Sequence, residues 1–111
     1  MSLDIEACRT RLHQEARDLE EAGARSADAR APVPLDQQSV GRLSRMDAMQ
    51  VQAMAKAEQA RRERRLHQVR AALARIDDDS YGDCLRCGEP VEDRRLDADP
   101  AATLCIGCVR G

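Results

Sequence analysis

The chain contains no Phe and no Trp, and Tyr81 is its single aromatic residue. That excludes an aromatic platform on which nucleic-acid bases could stack. Leu, Ile, Val and Phe together make 19 of 111 residues, below the roughly one-fifth at which a compact core becomes practicable. No run approaches the ~18 apolar residues of a membrane span. The opening Met-Ser-Leu-Asp-Ile-Glu has neither the basic start nor the apolar stretch of an export signal, so a cytoplasmic protein with no membrane partner is expected. A net charge of −2 is too small for charge-driven disorder. What is abundant is Ala, Glu, Lys, Leu and Arg, 54 residues in all, a composition of long helices and coiled coils. A large globular enzyme is excluded.

Five cysteines include two CxxC pairs, Cys84/Cys87 and Cys105/Cys108, separated by 17 residues. This is the spacing of a four-thiolate zinc site. Two disulfides would leave Cys8 over and require an oxidising compartment. A redox dithiol would require a βαβ surround that this composition cannot supply. Four protein ligands close the coordination shell and leave no position for water, so one structural zinc ion is expected. A CxxC turn aims backbone N–H groups at the sulfurs, and Gly88 tolerates the positive φ such a turn needs. Tyr81, Leu85, Val91, Leu96, Leu104 and Ile106 are the candidate core of this module, in which metal binding supplies most of the folding free energy.

The expected fold class is mainly α: an antiparallel two-helix coiled-coil hairpin over residues 1–76, with its tip near 26–40, followed by a zinc finger over 77–111. Residues 1–30 read as one helix, with Ile5, Leu12 and Leu19 recurring every seven and Cys8 on the same seam as a small buried apolar residue. Pro32 and Pro34 break the pattern. The second helix starts near Asp36 or Ser39, or at the capping box of Ser44 and Asp47, and runs to about Ile76. Val40, Leu43, Met46 or Asp47, Met54 and Ala57 form one stretch of its seam; Leu66, Val69, Leu73 and Ile76 form another. With the turn near residue 32, residue n faces residue 64 − n and Leu3 faces Arg61. The stripe from Leu66 to Ile76 then outruns the first arm, and the finger is expected to dock on it. Asp77, Asp78 and Asp79 are expected beyond the helix end, where they do not oppose its dipole.

Residues 77–111 hold four Arg against seven Asp and two Glu, a net of −5. Such a finger repels phosphates, so sequence-specific DNA reading is not expected. The basic density is Arg61, Arg62, Arg64 and Arg65, which reads either as a solvated face paired with Glu58 and Glu63 or as a contact site for an anionic partner. His13 and His67 read as surface residues, and no catalytic constellation is visible. Asp47 is the one acid singled out near the tip.

The run Asp77-Asp-Asp-Ser-Tyr-Gly-Asp-Cys-Leu-Arg-Cys-Gly88, then Arg94-Arg-Leu-Asp-Ala-Asp-Pro100, then Leu104-Cys-Ile-Gly-Cys108 resembles the DksA/TraR family of bacterial four-cysteine zinc fingers. The resemblance implies a transcription regulator that binds bacterial RNA polymerase. It implies a coiled-coil arm entering the secondary channel, the finger as a structural base, and the alarmone ppGpp as a co-effector. The family's tip motif is Asp-x-x-Asp-x-Ala. Its nearest match here is Ser44-Arg-Met-Asp47-Ala48-Met49, with Ser44 in place of the first acid and the alanine moved by one. Ser44, Asp47 and Ala48 are thus the implied tip contacts. The alternative function is a zinc-stapled coiled-coil interaction module without effect on the polymerase.

Overall fold

The computed structural model of the chain describes residues 3–32 and 42–111. Helix α1 spans Ile5–Arg25, the one-turn α2 Ala27–Arg30, and α3 Arg42–Asp77. Two short helices, α4 (Asp93–Ala98) and α5 (Ile106–Arg110), belong to the C-terminal module. No strand occurs among the described residues, only a single antiparallel bridge between Asp83 and Pro90. The molecule is an elongated body of 63 × 30 × 22 Å. Its long dimension follows from α3, whose 36 residues at 1.5 Å each reach ~54 Å.

Asp4 caps α1, its carboxylate accepting from the Ala7 N–H at 3.2 Å. The expected single helix over 1–30 is interrupted at Ser26, whose hydroxyl donates to the Gly23 carbonyl. The chain continues alongside α3 as α2 beyond this break. The candidate helix starts at Asp36 and Ser39, Val40 of the seam, and much of the expected tip lie outside the described residues, as does the side chain of Leu43. At its other end α3 closes one residue later than expected. Asp77 is its last residue, and Arg9 offsets that carboxylate at 2.6 Å; Asp78 and Asp79 lie beyond the helix, exposed.

The register of the hairpin differs from the expected one by about 20 residues. Glu15 pairs with Arg65, Gly23 packs on Gln59, Ser26 accepts from Arg62 at 2.8 Å, and the Ala31 carbonyl accepts from Gln52 at 2.7 Å. Residue n therefore faces roughly residue 84 − n, not 64 − n. The chain up to Ala31 still runs beside α3, and Pro34 lies outside the described residues. The first arm consequently covers the stripe it was expected to miss. Leu12, Val69, Ala72, Ile76 and Ala101 form one buried cluster, with Ala16, Leu19, Leu73 and Tyr81 packed against it. The finger does dock here, through Ala101 and Tyr81, but it closes only one end of a seam that α1 already covers.

The expected upper seam is also rotated. Met46, Met54 and Ala57 are exposed, and the hairpin interface there is made by Gln52, Ala55, Gln59 and Arg62. Gly23 explains the close approach. It is buried, and a Cβ on it would stand 3.1 Å from the Gln59 amide.

Candidate metal centre and its seat on the hairpin

The first knuckle is a miniature hairpin. The Cys84 N–H donates to the Glu89 carbonyl at 2.8 Å, the Gly88 N–H to the Cys84 carbonyl at 2.9 Å, and the Val91 N–H to the Gly82 carbonyl at 2.7 Å. Gly82 and Gly88 adopt φ of 99° and 79°, which only glycine takes without strain. The Leu85 N–H donates to the Thr103 carbonyl at 2.9 Å and ties this knuckle to the strand of chain before the second. Glu92 fixes the second knuckle by accepting from the Ile106 N–H at 3.0 Å. That bond, with Glu92's own backbone N–H, holds its carboxyl below the usual range. Arg86 and Arg95 close the module by donating to the carbonyls of Cys108 and Leu104.

These bonds bring four sulfurs together. Those of Cys84, Cys87, Cys105 and Cys108 all lie within 4.8 Å of one another, with Cys87 and Cys105 3.7 Å apart. A tetrahedron with ~2.3 Å metal–sulfur arms has edges of ~3.8 Å, so the geometry fits a zinc-sized ion. Electrostatics point the same way. Backbone N–H groups of Cys105 and Cys87 pull the Cys84 thiol down to about 6, while hydrogen bonding with Cys105 and Cys84 pushes Cys108 up to about 12. The Cys84 sulfur carries charge readily while Cys108 retains its proton, and a bound cation would favour thiolates at such a cluster.

The module's own core is Cys84, Val91 and Leu96, with Leu3, Tyr81, Ala102 and Leu104 against it. Leu85 and Ile106, expected in that core, are 63% and 42% exposed. Both directly follow a cysteine of the cluster, Cys84 and Cys105. Tyr81 belongs to both clusters, and its hydroxyl donates to the Pro100 carbonyl at 2.7 Å. Burial, then the neighbouring Cys8 thiol, pushes its phenol well up, so the donor proton is retained. Cys8 itself is buried on α1, as its seam position implied.

Arginines join the finger to the hairpin. Arg65 holds Glu15 of α1 and Asp99 of the finger at once, the Asp99 contacts being 2.8 and 3.3 Å. Arg11 donates to the Asp97 carbonyl at 2.7 Å. Burial raises the Asp99 carboxyl, but Arg65 and the Ala101 N–H outweigh it and leave Asp99 below the usual range. The four arginines expected as one patch are thereby divided. Arg62 and Arg65 turn inward onto Ser26, Glu15 and Asp99, while Arg61 and Arg64 face solvent. The helical repeat sends residues three apart to one side of α3, and 62 and 65 fall on the hairpin side. Ser44, Asp47 and Ala48 are exposed in the first turns of α3, at the end remote from the cysteines. His13 and His67 are exposed. The Arg65 junction had no local signal in the sequence, since its partners lie 50 and 34 residues away.

The prokaryotic dksA/traR C4-type zinc finger matches residues 79–110, a span that takes in all four cysteines. Over residues 79–110 the chain carries a DksA/TraR-type zinc finger. Among curated DksA/TraR relatives, the RNA polymerase-binding transcription factor DksA of Haemophilus influenzae is 48% identical over 48 residues, 42% of this chain and 33% of that protein. The factor of the same name from Escherichia coli K12 is 42% identical over 48 residues, 42% of this chain and 32% of its own. The match thus spans about a third of the length of these relatives. The fold extends further. The transcription factor DksA2 of Pseudomonas aeruginosa superposes with a TM-score of 0.75 at 23% identity, covering 95% of this chain and 79% of that one. The DnaK suppressor protein of Agrobacterium tumefaciens C58 gives 0.59 at 24%, covering 99% and 95%.

Proposed function

We propose that the chain is a non-enzymatic, cytoplasmic regulator of transcription that binds bacterial RNA polymerase. The observation that carries this reading is the 48% identity, over 48 residues, to a curated polymerase-binding factor. The arrangement suits the role. A four-cysteine module anchors one end of a helical arm, and the arm's remote end presents Ser44, Asp47 and Ala48 to solvent. The arm would enter the secondary channel with these residues leading, and ppGpp would act as a co-effector. The metal would be one structural zinc, held by Cys84, Cys87, Cys105 and Cys108. Zinc would supply charge neutralisation and a fixed crosslink between the knuckles, with no open position for chemistry. No helix among the described residues is long and apolar enough to cross a membrane.

The test is retention of the zinc-loaded chain on purified bacterial core polymerase, together with promoter-complex lifetime. The chain should be retained and should change that lifetime, and Asp47→Ala should weaken the change. Failure of the unmutated chain to be retained overturns the reading and favours an interaction module with another partner.

A further inference from the structure

Where α1 ends and α2 begins, two arginines from different elements meet on one neutral oxygen. Arg30 of α2 donates through Nε to the Ser26 hydroxyl oxygen at 3.3 Å, and Arg62 of α3 donates to the same oxygen through Nη2 at 2.8 Å. The two donor nitrogens therefore stand no more than ~6 Å apart, a distance at which like charges repel. Their other contacts are neutral as well. Arg30 Nη2 donates to the Gly23 carbonyl at 2.7 Å, and Arg62 Nε to the Gln59 side-chain oxygen at 2.9 Å. Among the described residues neither guanidinium makes an ion pair. Both line a crevice of about 320 Å³ between α1, α2 and α3. Glu20 and Glu63 also line it, but each is engaged, Glu20 by Arg70 and Glu63 by the Gln59 amide at 3.2 Å. Two half-buried cations thus share a hydroxyl, where a guanidinium pair is best matched by an anion.

We propose that Ser26 is a phosphorylation site and that Arg30 and Arg62 form the clamp that receives its phosphoryl group. In the transfer, Ser26 Oγ attacks the γ-phosphorus of a nucleoside triphosphate held by a protein kinase. The Oγ–phosphorus bond forms as the bond from that phosphorus to the β–γ bridging oxygen breaks. The hydroxyl proton goes to the kinase's base, and the nucleoside diphosphate leaves with the electron pair. Losing that proton orphans no acceptor, because the Gly23 carbonyl, which takes it at 3.1 Å, also accepts from Arg30. Access requires α2 to lift, and this one-turn helix buries no residue. The product carries about −2 charge and three acceptor oxygens, on the atom where the two guanidinium groups already converge. Attachment to Ser26 delivers the group at a high effective concentration, which free phosphate lacks against the repulsion of Glu20 and Glu63. The consequence is a stiffer arm. Its upper seam is polar, and a phosphate bridging α2 to α3 adds charge-assisted bonds where apolar packing is thin.

The test uses the full zinc-loaded chain with phosphate placed on Ser26 during synthesis, read by thermal midpoint and by hydrogen exchange along α3. Phosphorylation should raise the midpoint by about 4–8 °C. It should also slow exchange of the amides of residues 52–62 by ~10-fold. An Arg30→Gln/Arg62→Gln variant should lose both gains, while Arg30→Lys/Arg62→Lys should keep part of them. Each phosphorylated chain is compared with its own unphosphorylated form, so any loss from the substitutions themselves cancels. Mass spectrometry of the chain from its own cells, in growth and in stationary phase, should find phosphate on Ser26. Its absence from both overturns the proposal. A midpoint that does not rise on phosphorylation, or a gain that survives the glutamine variant, overturns it as well. An arginine-dependent gain when inorganic phosphate is added to the unmodified chain would assign the clamp to a free anion and overturn the modification.

Discussion

Asp99 is three residues beyond the fully buried Leu96 and six before Cys105, yet its carboxylate serves the hairpin, not the cysteines. Its folded pKa lies below the ordinary carboxylate value, through Arg65 and the Ala101 N–H acting against burial. The linkage sign follows from that depression. The contribution is complete above the unfolded value of about 3.9 and is lost as pH falls through the lower folded one. Urea unfolding of the metal-loaded protein should therefore show Asp99→Asn less stable than the parent near pH 7. The two should converge as pH drops below ~4. A constant gap across that range would show that the ion pair contributes nothing, as many exposed pairs do not. The cysteines were legible from spacing alone, because four thiolates around one ion leave a strict pattern in one dimension. Asp99 was not. Its role depends on a partner 34 positions away, and nothing in Leu96-Asp-Ala-Asp-Pro100 distinguishes it from Asp97.

Leu12 meets Val69 and Ala72 in a seam that has no room for relaxation by larger neighbours, since Ala16 and Ala101 border it. Leu12→Ala should cost about 2–5 kcal/mol, read as a shift in thermal or denaturant midpoint. Leu73→Ala should cost less, because Leu73 is only half-buried at the margin of the same cluster. Equal losses at the two positions would contradict the present register. The helices themselves were legible, from the heptad recurrence of Ile5, Leu12 and Leu19 and the 3-4-3 run ending at Ile76. Their pairing was not. Two apolar stripes joined by a proline-containing segment can slide by whole heptads with similar burial. What decides the register is polar: Arg65 with Glu15, Arg62 with Ser26, Gln52 with Ala31. The upper seam is polar for the same reason, so apolar periodicity misassigned Met46 and Met54 to it.

The finger and hairpin share Tyr81, Ala101 and the arginine contacts, so a change at the cysteine cluster should be felt beyond it. Elemental analysis of freshly reduced protein should find one zinc per chain. Cys87→Ser or Cys105→Ser should abolish it, while Cys8→Ser should retain it. Chelation should dissolve the finger but leave most of the α3 ellipticity. Zinc-free native protein, or loss with Cys8→Ser, would reject the assignment. The arginine seat has one more consequence, which concerns synthesis. Glu15 precedes Arg65 by 50 residues, Arg9 precedes Asp77 by 68 and Arg11 precedes Asp97 by 86. Most of a helix's stability in a protein comes from packing its apolar face, so the 21-residue α1 depends on these partners. As the ribosome releases the chain, α1 emerges before its partners, and its junctions become available in turn, with Arg65, then Asp77, then Asp97. The native surroundings of α1 are thus complete only when the C-terminal module has been made, and the end that carries the cysteines is also the end that closes over this helix.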